Sequence, residues 1–454
     1  MTKNKDKRNI YFIGIGGIGM SALARYFIDM GYKVAGYDKV RTQITDDLEK
    51  LGAKIYYQDD IALIPKPFKD KDFTTVIYTP AIPPENTILS FFKNNDFEVK
   101  KRSDILADIT RENKTIAIAG THGKTSISAM IAHILYEAGI LKAGFIGGIV
   151  NNYNSNYIKG KNTGFVVVEA DEYDRTFLKL SPDIALVSAL DIDHLDIYKN
   201  KENLTQAFEN FLKLVPENGL KILNKQISLN IEKYYTYSGT APADFYADNP
   251  FIFKGIQEFN IYTPEGIIED VQLALPGRVN VENAIAAASI ATLLRVDPDT
   301  IADALYSFKG VQRRFQKLFD NGKKIFYTDY AHLPQEISAL KQAIEEFYIN
   351  RKILAIFQPH LYSRTKDLAD EFAAVLDTFP NVILAPIYPA REKPIPGVDS
   401  DLILRKMKNK NAQVIPLSQI PQKIKNYDFD IILTIGAGDI VNINPQIVQI
   451  LTSL

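Results

Sequence analysis

The residues whose order most clearly implies chemistry are Gly120-Thr121-His122-Gly123-Lys124-Thr125-Ser126. The apolar residues Ile116–Ala119 predict a short buried strand before them, and the run from Ile127 to Glu137, stopped by Gly139, predicts a helix after them. Strand, glycine turn, Lys-Thr and helix make a phosphate loop for a nucleoside triphosphate. The glycines let backbone N–H groups crowd an anion, and the helix N-terminus adds partial positive charge. Lys124 would reach the outer phosphates and Thr125 would ligate magnesium. Ile118 stands where the usual pattern has its first glycine, so only Gly120-x-x-Gly-Lys-Thr is present. A chance Gly-Lys-Thr in an ordinary loop is the bland alternative.

A magnesium ion needs carboxylates nearby, and two strand ends offer them. Gly164–Val168 predicts a central strand running into Glu169-Ala-Asp171-Glu172-Tyr-Asp174-Arg175. An acid at the exit of such a strand is where the metal ligand belongs; Glu169, first beyond the strand, ranks ahead of the others, which cap the next turn or face solvent. Pro182–Leu190 predicts another strand, followed by Asp191, Asp193, His194 and Asp196. These four form either a second metal cluster or a helix cap with a packed histidine. They are not a calcium loop, because Asp196 sits where a glycine is required.

A second glycine motif opens the chain. Asn9–Ile13 predicts a strand, Gly14-Ile-Gly16-Gly17-Ile-Gly19 a turn, Met20–Met30 a helix, and Tyr32–Tyr37 a strand ending at Asp38. This is the start of a Rossmann-like unit. Gly14 permits the tight turn, Gly16 lets a diphosphate approach, and Gly19 lets helix and strand pack closely. Asp38, 24 residues after Gly14, is placed to meet a sugar hydroxyl or a base. The motif points to a diphosphate-containing nucleotide without choosing between a dinucleotide and a nucleoside-diphosphate sugar; glycines that merely tighten a turn are the alternative. Further on, Thr45 is expected to cap a helix to Leu51, and the prolines of Thr79–Pro84 to fix a loop at a ligand-binding strand end.

Asn151–Asn162 reads as a loop, and residues 243–273 as a small antiparallel sheet added to the parallel one. Asn280 and Asn283 fall on one side of the first turn of a helix, where they read a base edge or simply cap. Arg313-Arg314 stands at a boundary, placed to close over phosphate. A third run of alternating strands and helices follows, with polar residues just past the strand ends. Asp329, Tyr330, His332, His360, Arg364 and Arg391 belong to this edge, the histidines and arginines as donors for carboxylate or phosphate.

Composition bounds the rest. A length of 454 residues, 46% apolar, suits about three α/β domains, at 1–107, 108–312 and 313–454. A formal charge of −1 argues against a nucleic-acid binder. With no cysteine there is no thiolate metal site and no cysteine nucleophile. No apolar run approaches a membrane span and the charged start does not read as a signal peptide, so a cytoplasmic protein is expected.

Taken together, Gly14–Ser21, Gly120–Ser126, Glu169–Asp174, Asp193-His194, Leu275–Asn283, Arg313–Phe315, Asp329–His332, Phe357–His360, Tyr388–Gly397 and Gly436–Asp439 resemble the Mur ligases, the ATP-dependent amino-acid ligases of peptidoglycan precursor synthesis. The likeness spans essentially the whole chain. The Gly-Ala-Gly-Asp ending is more similar to the alanine-adding branch than to the branch that recycles murein tripeptide. The resemblance implies a three-domain architecture: a Rossmann-like domain for UDP-N-acetylmuramate, a central phosphate-loop ATPase domain, and a Rossmann-like domain that brings L-alanine. It implies Gly16 and Gly17 on the diphosphate, Lys124 on ATP, Thr125 and Glu169 on one magnesium ion, His194 on a second, and Asn283 near adenine. It implies Asp329 toward the ribose, Arg314 toward phosphate, and Tyr330, His332 and Arg364 near the amino acid and acceptor carboxylate. A monomer or weak homodimer is expected. Val279, Ala189, Thr328, Leu333, Leu361 and Tyr173 depart from the family's usual residues. A nicotinamide oxidoreductase would leave Gly120–Thr125 unused, and a non-enzymatic nucleotide-binding scaffold would not need Glu169 or His194.

Overall fold

A computed structural model describes residues 9–161, 163–190, 198, 200–240, 242–253, 255–390 and 392–453. The chain forms two compact units. One comprises the chain up to Phe251 with Glu258–Leu273 and Val281–Lys309; the other comprises Ile252–Gln257, Ala274–Asn280 and the chain from Gly310 onward.

The first unit carries two separate sheets. The smaller is all parallel, in the order Lys54–Tyr56, Lys33–Tyr37, Asn9–Ile13, Thr74–Tyr78, Glu98–Lys101. Asn9–Ile13 is buried throughout because helices and loops cover both faces, as parallel sheets require. Strand order reverses beside it, so its glycine turn and the loop after Tyr78 share the crevice where ligands lie in such folds. The first helix runs Ile18–Asp29, two residues earlier than its periodicity suggests. The next helix, Gln43–Lys50, is capped by Thr42 rather than Thr45. Thr45 is instead the reciprocal half of a capping box, its hydroxyl accepting from the Thr42 amide at 2.9 Å. A helix at Thr87–Asn94, capped by Asn86, is absent from the sequence reading.

The larger sheet sets Thr115–Ala119 between Ile184–Val187 and Phe165–Glu169, all parallel. The register pairs Ile118 with Glu169 and Ala119 with Val187, so both flanking strands end level with the Gly120 turn. Beyond Phe165–Glu169 lies Leu141–Val150, and then Ser155–Lys159 pairs antiparallel with it. Asn151–Asn162 is therefore not simply a loop: its polar composition hides a strand whose Asn156, Tyr157 and Ile158 are buried. The sequence 243–273 does fold as β structure. Phe245–Ala247 extends the parallel sheet, and Ile256–Thr263 turns antiparallel against it, with Tyr246 and Tyr262 stacked at 4.9 Å.

The larger sheet is tied to the helix Ile18–Asp29 inside this unit. The Asn156 amide donates to the Ile18 carbonyl and, at 2.8 Å, to the Ser21 hydroxyl. Tyr26 packs its ring on Phe145 and Tyr157, and the Tyr157 hydroxyl donates to Asp29 at 3.1 Å.

The second unit is built on a six-stranded sheet ordered Gln316–Asp320, Ile325–Asp329, Ile431–Ile435, Ile353–Phe357, Asn381–Leu384, Ala412–Val414. Only the first pair is antiparallel. Alternate residues of its central strands feed cores on opposite faces: Ala355, Phe357 and Leu433 on one, Leu354, Ile356 and Ile432 on the other. Two short helices, Tyr362–Asp367 and Ala369–Leu376, meet at Leu368. Among the described residues no helix is long and apolar enough to cross a membrane.

Candidate active site

The Gly120–Ser126 loop is shaped by its glycines. Gly120 has φ +136°, and a Cβ there would lie 2.2 Å from the Ser188 hydroxyl. Gly123 (φ +82°) is the N-cap of the helix Lys124–Glu137, with the Asn283 side-chain oxygen 3.0 Å from where its Cβ would be. The neighbouring strand supports the loop through backbone: Thr121 donates to the Ala189 carbonyl at 3.0 Å, and the Ser188 hydroxyl donates to the His122 carbonyl. The unusual alanine at 189 thus serves through its carbonyl, which any residue supplies.

Lys124 folds back to donate to the Gly120 carbonyl at 2.6 Å and to both oxygens of Glu172 at 2.8 Å. The Glu172 side chain is fully buried. Burial pushes its carboxyl above the usual range, and Lys124 pulls it partly back. Sequence reasoning left Glu172 among the solvent-facing or capping acids and missed this role. The only signal was its place three residues beyond Glu169. Glu169 is the last residue of its strand, not the first beyond it. Its carboxylate accepts from the Thr125 hydroxyl at 2.9 Å and from the Gly147 amide at 3.0 Å. A hydroxyl and a carboxylate meeting at the mouth of an amide-lined loop are hard oxygen donors of the kind magnesium takes. His194, with Asp191, Asp193 and Asp196, lies outside the described residues.

The first glycine turn is crowded from the protein side. Gly14 (φ +85°) abuts Thr79, and a Cβ on Gly16 would press on Thr45 and Asp38. Asp38 accepts from the Gly16 amide at 2.7 Å and from Val40 at 3.2 Å, so it shapes the turn. A Cβ on Gly19 would meet the Arg102 side chain, not a strand. The close helix–strand packing read for Gly19 is thereby corrected. Gly17 caps the helix without a side-chain bond, leaving an amide-rich N-terminus.

In the second unit the strand-end residues gather. Asp329 accepts from the amides of Phe315 and Ala331 at 2.6 and 2.7 Å; burial raises its carboxyl and Arg314 draws it down. Arg313 and Arg314 both lie 4.8 Å from the Tyr330 ring. They differ in what they do. Arg313 donates to the carbonyls of Gly436 and Gly438, at 2.8 and 3.0 Å, and is a fixture of the fold. Asp439 of the same motif accepts from Gln358 at 2.7 Å.

His332 lies beside Tyr330 and His360, ring centroids 5.5 and 6.1 Å away. Its Nδ1 is 3.1 Å from the Tyr330 carbonyl, which favours the tautomer with the proton on Nδ1 and Nε2 as acceptor. Burial lowers its basicity, with Arg364 and Arg314 adding to the effect against Glu336, so the ring is neutral near pH 7. His360, stacked on Tyr388, is lowered to about 4 by burial and by Arg364 and His332. His360 Nδ1 and Arg364 Nη1 are buried with no hydrogen-bond partner among the described residues. A carboxylate or phosphate oxygen is the group the Arg364 donor lacks. Of the departing residues here, Thr328 accepts from Asn444 at 3.1 Å in a buried network, Leu333 caps the helix Pro334–Phe347 through backbone, and Leu361 sits at φ +72°. Val279 is exposed, and nothing in the structure explains it. Arg391 lies outside the described residues.

Family models cover nearly the whole chain. The "Mur ligase family, catalytic domain" matches residues 9–114, the "Mur ligase middle domain" 118–291, and the "Mur ligase, glutamate ligase domain" 313–442. The UDP-N-acetylmuramate–L-alanine ligase of Flavobacterium psychrophilum is 45% identical over 444 residues, covering 97% of this chain and 98% of its own. That of Parabacteroides distasonis is 41% identical over 447 residues, 97% of each. The crystal structure of UDP-N-acetylmuramate-alanine ligase from Thermotoga maritima superposes with a TM-score of 0.84 at 28% identity, over 98% of this chain and 99% of that one. A murein peptide ligase from Psychrobacter arcticus has a TM-score of 0.69 at 20% identity over 98% and 99%, a likeness of fold.

Proposed function

The chain belongs to the Mur ligase family, and from that premise we propose that it joins L-alanine to the lactyl carboxylate of UDP-N-acetylmuramate, converting ATP to ADP and phosphate. Its architecture is the family's three-domain one, and we draw the boundaries at 1–107, 108–312 and 313–454. The observation that carries the reading is the convergence of Lys124, Thr125 and Glu169 at one phosphate loop.

The lactyl carboxylate attacks the γ-phosphorus, forming an acyl phosphate and ADP. The amine of alanine then attacks the acyl carbon, and the tetrahedral intermediate collapses to amide and phosphate. Lys124, released from Glu172, neutralises charge on the transferring phosphoryl group. Thr125 and Glu169 are the residues we assign to magnesium, which when bound screens the phosphate oxygens. Asn283, packed against Gly123, is assigned to the nucleotide, as are Gly120–Ser126, Arg314 and Asp329. Gly14, Gly16, Gly17, Gly19 and Asp38 serve the UDP-sugar through the amide-rich turn.

We assign Tyr330, His332 and Arg364 to the alanine and the acceptor carboxylate. The unpaired Arg364 Nη1 supports this, since it suits a carboxylate. A neutral His332 with Nε2 as acceptor is chemically able to take the proton of the incoming ammonium. His194 keeps its assignment to a second ion. The cytoplasm, where ATP and UDP-sugars are made, is the proposed location.

The test is product mass and phosphate release with ATP, magnesium and UDP-N-acetylmuramate, with L-alanine, L-serine, glycine or a murein tripeptide as amine. Release requiring L-alanine, with a product heavier by one alanyl residue, is expected. Turnover only with the tripeptide would move the chain to the recycling branch.

A further inference from the structure

The first glycine turn has no cation of its own. Gly14–Gly19 is uncharged, and Asp38 brings a carboxylate to within 2.7 Å of the Gly16 amide. A nucleoside diphosphate on this turn would meet amides and a like charge. Amides and a helix N-terminus favour an anion only modestly, so a charged donor is the missing piece.

Arg102 supplies it. It opens the helix Arg102–Arg111 straight after Glu98–Lys101, the strand next to Thr74–Tyr78 at the carboxyl edge of the same sheet. A Cβ built on Gly19 would lie 2.8 Å from Arg102 Nη1, 3.1 Å from Cδ and 3.2 Å from Cζ. Gly19 sits in the first turn of the helix Ile18–Asp29 with no left-handed backbone, so nothing local asks for glycine there, and helix propensity disfavours it. The space it leaves is filled by the guanidinium. On its other side Arg102 Nη2 is 3.9 Å from Asp171 Oδ2, too far for a hydrogen bond. Arg102, Glu169 and Asp171 line one small pocket. The fork of donors therefore stands between the UDP-sugar turn and the strand end assigned to magnesium.

We propose that Arg102 is a substrate-positioning residue whose guanidinium, in the space left by Gly19, binds the diphosphate of the UDP-sugar. This rests on reading the first domain as a UDP-sugar site. It makes Gly19, the last glycine of the motif, a substrate-binding device at one remove.

The test uses the full chain, with UDP as probe and ATP as control, by calorimetry. Arg102→Met should weaken UDP at least tenfold and leave ATP within twofold of wild type; Arg102→Lys should fall between. Gly19→Ala should weaken UDP as well, while its melting temperature stays at or above that of wild type, because only a mobile side chain must move. In turnover, Arg102→Met and Gly19→Ala should each raise KM for UDP-N-acetylmuramate more than they lower kcat. Folded Arg102→Met that binds UDP as wild type does would overturn the proposal. So would loss confined to UDP-N-acetylmuramate with UDP unaffected, which would give the guanidinium to the lactyl carboxylate. Failure of the wild type itself to bind UDP would instead overturn the UDP-sugar reading.

Discussion

Lys124 and Glu172 show how one contact serves both stability and chemistry. The lysine side chain is 14% exposed and the glutamate not at all, so each is the other's main compensation for lost water. Lys124→Met should lower kcat about 100-fold or more, since one electrostatic donor to the transferring group is gone. It should also destabilise the first unit by ~3 kcal/mol at neutral pH, by taking the lysine from a buried carboxylate. Lys124→Met/Glu172→Gln should recover most of the stability and none of the activity; urea melts beside turnover assays separate the two. The stability loss of the single variant should shrink on acidification, because protonating Glu172 removes the buried charge that has lost its lysine.

His133 offers a pH test away from the chemistry. It is buried between the Tyr153 hydroxyl, 2.7 Å from Nδ1, and the Ser307 hydroxyl, 3.0 Å from Nε2. Burial lowers it from 6.5 to about 4. A histidine depressed on folding adds stability that is complete above 6.5 and is lost as pH falls through about 4. The difference corresponds to about 3 kcal/mol as an upper figure. His133→Gln should flatten the stability profile across that window, as read by denaturant melts from pH 7.5 to 4.

At the scale of elements, the strand Ser155–Lys159 matters more than its composition suggests. Asn156 on it holds Ile18 and Ser21, which open the helix leaving the first glycine turn. Asn156→Ala should cost about 1 kcal/mol by removing the amide's bonds to the Ile18 carbonyl, which keeps the Ser21 hydroxyl as donor, and to Ser21 itself. It should also raise KM for UDP-N-acetylmuramate several-fold and leave that for ATP unchanged; steady-state kinetics with each substrate varied checks this.

The strands that carry the chemistry were legible because they are short apolar runs ending in glycine or acid, as at Ile116–Ala119 and Asn9–Ile13. Ser155–Lys159 was not, because its Asn and Tyr side chains are buried by hydrogen bonding across to the helix Ile18–Asp29, which no local period records. Thr45 misled for the opposite reason: both halves of a capping box are threonine, and either one reads as the cap. Glycine motifs gave away the turns but not what fills the space beside them. Gly19 faces Arg102, more than eighty residues away in sequence, and Glu172 reaches Lys124 only through the fold.

For the whole molecule, two anionic substrates and an amine must meet while water is excluded from an acyl phosphate. Three sets of polar groups stand ready for them: an amide turn whose Gly16 donates to Asp38, a phosphate loop with Lys124, and a strand edge with His332, His360 and Arg364. In the proposed reaction the carboxylate, not the amine, is the group that ATP activates. UDP-N-acetylmuramate labelled with 18O in its lactyl carboxylate measures this most directly. One labelled oxygen in the phosphate released with L-alanine and ATP is the predicted result. Phosphate free of label, with the amide still formed, would contradict activation of the carboxylate by phosphoryl transfer.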